Sequence, residues 1–146
     1  MENEFIPYEQ ALALKELGFD EPCMCRYYSV DTIEANNLMM FSPKYPKKYN
    51  SEKFEIGGIV TYPFISSPLY QQVFRWFRED FGLLASEVYD RGLNSGKFPI
   101  VHSYSFRILN LNNYIDTYSN TFNNYNEAEL ECLKKLIELL IERNDT

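Results

Sequence analysis

The sequence SSPLYQQVFRWFREDFGL, residues 66–83, carries signals for a helix with its own start and stop. A Ser hydroxyl accepts from the free amides of a helix N-terminus, and Pro68 suits the first helical position because it has no amide to leave unpaired. Gly82 predicts the end, because glycine adopts the left-handed conformation that follows many helices, and Leu83 can fold back onto the last turn. The apolar face at helical spacing consists of Tyr70, Val73, Phe74, Phe77 and Phe81, with Trp76 beside them. So wide a face predicts a helix that covers a sheet.

Length and composition predict one domain over residues 1–146, with an irregular loop insertion at about 31–55. Aromatic residues make up 16% of the chain, which predicts a heavily aromatic core. No stretch approaches the roughly 18 to 20 apolar residues of a membrane span. The first four residues, MENE, are acidic where a signal peptide is basic. We therefore expect a cytoplasmic protein that does not enter the membrane.

The net charge of −7 disfavours non-specific binding to nucleic acid or to anionic membranes, because protein cations dominate both interactions. One region departs from this acidic balance. Its members are Lys44, Tyr45, Lys47, Lys48, Tyr49 and Lys53, called here the basic island. It is either an anion-binding or RNA-contacting loop or a solvated loop, and the overall charge favours the solvated loop.

Three cysteines form no disulfide framework. Cys23 and Cys25 have a spacing that can chelate metal, but a closed zinc site needs four ligands, and the only further candidates are Cys132 and His102. Cysteine is commonly a small buried apolar residue. We predict buried thiols, no metal and no cofactor.

The local patterns predict an element order of helix, strand, strand, helix, strand, strand, helix. The predicted elements besides the helix of residues 68–82 are a helix at Pro7–Leu17, strands at Cys23–Val30, Ile56–Tyr62, Leu84–Tyr89 and Pro99–Leu111, and a C-terminal helix. Segments 31–54 and 110–126 are predicted to be mostly loop. The last two strands should form a hairpin. The expected fold is a small α+β domain with a mostly antiparallel sheet of about four strands covered by three helices.

The C-terminal helix is predicted to start at an Asn126 cap, with Glu129 completing a capping box. Glu131 and Lys135 have the spacing of a stabilising ion pair. The predicted apolar stripe consists of Leu130, Leu133, Ile137, Leu140 and Ile141. It is either part of the core or a dimer surface, and the core is the favoured interpretation.

Three blocks of the sequence carry a family resemblance. They are EFIPYEQALALKELGFDEPC at residues 4–23, the segment from Tyr70 to Leu83, and EAELECLKKLIE at residues 127–138. Together they resemble a family of small uncharacterised proteins encoded by phages and prophages of Bacteroidota, in the same order but over less than half of the chain. The resemblance implies a phage or prophage origin and no activity. The segment 31–66 is longer than the family pattern implies.

No motif in the sequence identifies a catalytic site. His102 and Ser103 are neighbours on a predicted strand, so their side chains point to opposite faces and are poorly placed to share a proton. No P-loop, HExxH or GxSxG pattern is present. The sequence thus leaves enzymatic activity unsupported.

Two function classes remain. The first is an accessory protein that binds a protein partner or self-associates, for which an excess of Tyr is typical. The alternative is a pocket protein that sequesters a small anion such as a nucleotide, as an antagonist of host defence. The ligand-binding residues expected for the alternative are Arg75, Arg78, Trp76, Arg107 and His102. It requires these arginines to converge.

Overall fold

The computed structural model describes residues 4–28, 39–41, 46–90 and 103–145. The fold is α+β, and the strands described pair antiparallel, as predicted. Within the described ranges the strands form three small sheets, of three, two and three strands, where the sequence predicted one sheet of about four. The chain divides into two compact units, residues 1–70 and 71–146. The single domain remains a prediction.

Helix α1 spans Tyr8–Glu16 in the first unit, close to the predicted bounds. Gly18 has φ +94° and ends it. The Phe19 amide donates to the Leu14 carbonyl at 2.9 Å, and the Gly18 amide donates to the Lys15 carbonyl at 3.1 Å. These two bonds form the Schellman motif that satisfies the last carbonyls of a helix.

The first sheet has the order β2-β1-β5, with β1 at Cys25–Tyr28, β2 at Met39–Phe41 and β5 at Phe64–Ser67. The predicted strand from Cys23 begins two residues later, because Cys23 makes only an isolated bridge with Lys47. Strand β2 lies in a segment predicted to be loop. Helix α1 packs against β5. The core of this unit comprises Phe5, Ile6, Ala11, Leu14, Phe19, Cys23, Cys25, Tyr27, Tyr49, Phe64 and Ile65.

The predicted strand Ile56–Tyr62 is interrupted by a turn at Gly57 and Gly58. The chain instead forms a hairpin of β3, Phe54–Ile56, and β4, Ile59–Thr61. Gly57 has φ +60° and Gly58 has φ +82°. Positive φ at both central residues defines the type I′ turn, which matches the twist of two antiparallel strands. The two glycines therefore reverse the chain inside the segment predicted as one strand.

The start of the second helix also differs from the prediction. Helix α2 spans Tyr70–Phe81, and the two serines expected to cap it lie buried in β5. The Ser67 hydroxyl donates to the Ile6 carbonyl at 2.8 Å, and the Ile6 amide donates to the Pro68 carbonyl at 2.9 Å. Pairing with the N-terminal segment thus keeps these residues extended. Gly82, at φ +67°, ends α2 as predicted.

The sheet of the second unit has the order β6-β7-β8, with β6 at Leu83–Asp90, β7 at Tyr104–Asn110 and β8 at Asp116–Tyr118. The predicted pairing of the first two strands is confirmed. The N-terminal part of the predicted strand, up to residue 102, lies outside the described residues. Strand β8 was predicted to be loop, because three residues are too few to show a period.

Helix α3 spans Tyr125–Asn144 and lies against β6 and β7. Its cap is Asn124, whose Oδ1 accepts from the Asn126 amide at 2.8 Å, so the predicted cap at Asn126 is wrong. The buried face consists of Ala128, Cys132, Leu133, Leu136, Ile137 and Leu140, and the predicted stripe member Ile141 is exposed. The expected ion pair of Glu131 with Lys135 is replaced by two i,i+3 pairs, Glu131 with Lys134 and Lys135 with Glu138.

Candidate interaction surface

Arg75 and Arg78 lie on the exposed side of α2. Arg78 Nη2 is 3.3 Å from Glu79 Oε1, and both side chains are about half exposed. An exposed ion pair of this kind contributes little to stability, because solvent screens it and both side chains lose freedom. The pair does place a carboxylate beside one of the two arginines expected to hold an anion.

Trp76 lies on the other side of the same helix and is only 6% exposed. Its ring meets the rings of Phe77 and Phe81 edge-on, with centroids 5.1 and 4.8 Å away. Such edge-to-face contacts are a favoured packing of aromatic rings. The indole thus belongs to the core, and its faces are not open for a ligand to stack on.

Arg107 holds Asp116 with two parallel hydrogen bonds across β7 and β8. Its Nε donates to Oδ1 at 2.7 Å and its Nη2 donates to Oδ2 at 2.9 Å. The hydrogen bond from Arg107 lowers the pKa of the Asp116 carboxyl from its ordinary value. The guanidinium also lies 5.7 Å from the centre of the Tyr118 ring. An anionic ligand would have to displace Asp116 to bind the Arg107 guanidinium in the same bidentate way.

The remaining residues predicted to bind a ligand or an anion are only partly described. His102, together with Lys44 and Tyr45 of the basic island, lies outside the described residues. Tyr49 is buried, with the Arg26 guanidinium 5.2 Å from its ring centre. The rest of the basic island, Lys47, Lys48 and Lys53, is exposed.

The three cysteines are buried thiols. Burial raises the pKa of Cys23 to about 12, that of Cys25 to about 11 and that of Cys132 to about 12. The thiolate is the nucleophile and the metal ligand, so thiols held neutral are unreactive near neutral pH. Among the residues described, no group of three or more His, Cys, Asp or Glu could hold a metal ion.

Open clefts occur on the described surface of both units. One, of about 370 Å³ in the first unit, is lined by Lys15, Asp20, Asn50 and Tyr62 among others. Its lysine is engaged, since Lys15 Nζ donates to the carbonyls of Tyr62 at 2.9 Å and Phe64 at 2.8 Å, and burial lowers its pKa. The other, of about 270 Å³ in the second unit, is bordered by the two ion pairs of α3. In both clefts the amines are already bound to protein oxygens.

The turn between β7 and β8 presents three exposed apolar side chains, Leu111, Tyr114 and Ile115, called here the tip. Tyr114 is 80% exposed and has φ +60°. Of the residues described, it alone combines a side chain with a positive φ. A residue with a Cβ pays about 1 to 2 kcal/mol for this conformation. Such outliers persist only where the surrounding structure fixes them.

Hydrogen bonds fix this turn from both ends. The Asn110 amide donates to the Ile115 carbonyl at 2.9 Å, and the Tyr114 amide donates to the Asn110 carbonyl at 2.7 Å. The side chains of Asn110 and Asn113 accept from amides two residues ahead, at 3.0 Å each. The Asn112 side chain donates to the Phe81 carbonyl at 3.0 Å, which ties the turn to the end of α2. The tip is therefore a preorganised surface.

Two helix ends with charged residues lie beside the tip. The Phe81 carbonyl, which binds Asn112, also accepts from Arg143 Nη1 at 2.9 Å, so α2 and α3 both end beside the turn. The neighbouring residues Asp80 and Glu142 are exposed carboxylates. Helix C-termini carry partial negative charge, which adds to these carboxylates. The tip is thus an exposed apolar turn beside two helix ends, and exposed carboxylates stand next in sequence to Phe81 and Arg143.

Sequence reasoning missed the tip, although one signal was present. Asparagine side chains can accept from the backbone amide two positions ahead and so stabilise tight turns, as Asn110 and Asn113 do here. The asparagines break any apolar period, so the sequence pattern predicts a loop here. A tight turn followed by a strand of three residues is too short to give a periodic pattern. The strand is recognised only from its pairing with β7.

The chain matches no family model, no curated protein and no solved structure. Within the described residues, no helix has both the length and the apolar character needed to cross a membrane.

Proposed function

We propose that this protein acts by binding a protein partner through the tip. The observation that carries the proposal is the turn itself, where three exposed apolar side chains are displayed on a backbone held at a strained φ. Their exposed surface is roughly 350 Å², at about 200 Å² for each large side chain. Apolar patches of this size on monomers are often functional.

Preorganisation supports binding as the role of the turn. Ordering a loop on association costs free energy, and a loop that folding has already ordered avoids this cost. Tyrosine is enriched at the centres of interfaces, where a single aromatic anchor supplies much of the binding energy. An exposed Tyr114 held in place by its neighbours has the properties of such an anchor.

The shape and charge of the tip specify the partner's chemistry. An exposed apolar turn fits a concave apolar pocket, and the exposed carboxylates of Asp80 and Glu142 at the helix ends favour lysines and arginines around that pocket. The net charge of −7 would steer such a basic surface towards the protein. We infer a partner protein with an apolar pocket in a basic surface.

The biological setting of the proposal is a phage or prophage of Bacteroidota, in which the protein serves as an accessory factor in the host cytoplasm. The three sequence blocks that resemble this family are its only support. The alternative, sequestration of a small anion, receives no support from Arg107, which is held by Asp116, or from Arg78, which lies beside Glu79. We therefore propose protein binding alone.

The experiment places a photo-crosslinking phenylalanine analogue at Tyr114 and, as a matched control, at Tyr125, which is also exposed and lies in the same unit. Irradiation in the expressing host should yield an adduct from position 114 that position 125 does not give. The partner captured in the adduct is then identified and purified in its free form. Its binding to the unmodified chain is measured by calorimetry.

The titration decides the role of the tip. Tyr114→Ala and Ile115→Ser should each weaken binding by about tenfold or more, as expected when an anchor is truncated, and Tyr125→Ala should leave it unchanged. The proposal fails if both positions give the same adducts. It also fails if the captured protein binds Tyr114→Ala as tightly as the unmodified chain.

A further inference from the structure

A second apolar surface lies in the other unit, on the hairpin of β3 and β4. Five of its large apolar side chains are exposed: Phe54, Ile56, Ile59, Val60 and Tyr62. The hairpin is anchored at its base, where the Phe54 ring meets Phe64 with centroids 5.5 Å apart. A two-stranded sheet is marginal in water, and further strands stabilise it. Among the described residues neither outer edge of this hairpin is paired.

The two edges differ in charge. At the centre of β3 stands Glu55, with Lys53 just before the strand, and charges on an edge are a common protection against unwanted pairing. Strand β4, Ile59-Val60-Thr61, carries no charge. An uncharged, β-branched edge is a template for another strand. The free edge of β4 is therefore the one suited to pairing.

The turn type determines which groups point out of that edge. In a two-residue turn the flanking residues, here Ile56 and Ile59, form the hydrogen-bonded pair. Hydrogen-bonded and non-hydrogen-bonded pairs alternate along an antiparallel ladder, so the next pair, Glu55 and Val60, is the non-hydrogen-bonded one. The N–H and C=O groups of Val60 consequently point away from β3, towards the open edge.

We propose that β4 pairs antiparallel with β4 of a second copy of this chain, around a twofold axis at Val60. In that register each Val60 exchanges both backbone hydrogen bonds with its counterpart, and each Ile59 faces a Thr61. A twofold axis at the centre of β3 would instead set Glu55 against Glu55, and like charges directly opposite destabilise a sheet. The sequence of β4 is thus self-complementary, and that of β3 is not.

The dimer should be weak. The apolar side chains nearest the edge, Ile59, Val60 and Tyr62, expose roughly 300 Å² per copy, at about 200 Å² for a large side chain. This area is well below the surface that each partner buries in a stable complex, which is about 800 Å². Each copy also carries a charge of −7, so added salt should strengthen the dimer by screening this repulsion.

The test is sedimentation equilibrium of the whole chain from about 1 µM to about 1 mM, at low and at high salt. We expect a monomer–dimer equilibrium that shifts towards dimer at high salt. A chain that remains monomeric at the highest concentration in both buffers overturns the proposal.

Matched lysine variants locate the interface. Val60→Lys sets two like charges across the axis and should raise the dimer dissociation constant by about tenfold or more. Glu55→Lys adds a lysine to the same face of the same hairpin but away from the axis, and should not weaken the dimer. These variants bring the net charge from −7 to −6 and −5, which by itself favours association, so only a local effect can produce the loss.

Circular dichroism checks that each variant is folded. If Val60→Lys unfolds, Thr61→Lys replaces it, because its lysine would face Ile59 of the second copy. A dimer that survives a folded edge variant, or that Glu55→Lys weakens as strongly, overturns the proposal.

Discussion

Tyr114 offers a sharp test of the tip, because two substitutions that remove the same ring should have opposite effects on stability. Tyr114→Ala keeps a Cβ at φ +60°, and Tyr114→Gly removes it. At an ordinary position glycine is about 0.5 to 1 kcal/mol less stabilising than alanine, because it loses more backbone freedom on folding. At Tyr114 we expect the reverse order.

The magnitude follows from the conformation and the exposure of this residue. The left-handed region costs a residue with a Cβ about 1 to 2 kcal/mol, which outweighs the entropic cost of glycine. The ring is 80% exposed, so its removal costs little folding energy. Tyr114→Gly should therefore have a free energy of unfolding about 1 kcal/mol above that of Tyr114→Ala, or a Tm about 3 °C higher.

The assay is urea unfolding, monitored by circular dichroism. Equal slopes of the free energy of unfolding against urea concentration establish that the two variants unfold between equivalent states. Both variants should bind the captured partner equally poorly, because both lack the ring. An alanine variant as stable as the glycine variant, or more stable, would refute the strained turn. A glycine variant that retains full binding would refute the role of the ring.

Two further predictions concern stability. Gly82→Ala should lower the free energy of unfolding by about 2 kcal/mol in urea titrations. The alanine would have to adopt φ +67°, and its Cβ would lie 3.0 Å from Asn112 Nδ2. Gly18→Ala, at φ +94° with open space around it, should lose only about 1 kcal/mol, and equal losses would contradict the role of Asn112. Burial raises the pKa of Cys23 and Cys132 from 9.0 to about 12, so these thiols stabilise the fold fully below pH 9, and this contribution is lost as the pH rises from 9 to 12. Melting curves recorded between pH 9 and 12 should show the Tm falling as the pH rises. A Cys132→Ala variant whose Tm falls with pH as steeply as that of the unmodified chain would contradict this prediction.

The elements that sequence reasoning placed correctly are those defined by local chemistry. Gly18 and Gly82 end their helices at positive φ, a conformation that other residues rarely adopt. The long helix α3 shows its apolar period over many turns, so its existence is clear from the sequence. Its start was misplaced by two residues, because several asparagines in succession can each serve as a cap.

The elements that sequence reasoning missed depend on pairing with distant residues. The serines before α2 can cap a helix or extend a strand, and their pairing with Cys25 and Arg26 of β1 selects the strand. Gly57 and Gly58 suit a bulge or a turn, and the pairing of Phe54 with Thr61 selects the turn. In each case the local sequence permits two structures.

For the candidate surface, the sequence by itself determined the acidic charge, the abundance of tyrosine and the glycines that end two helices. These depend only on residue type and on the conformations that each residue tolerates. The tertiary structure alone decided that Trp76 is buried, that Arg107 is bound to Asp116 and that Tyr114 is exposed at a strained φ. Exposure and ion pairing depend on which distant segments meet, because burial is a property of the packed neighbours of a side chain and not of its own sequence.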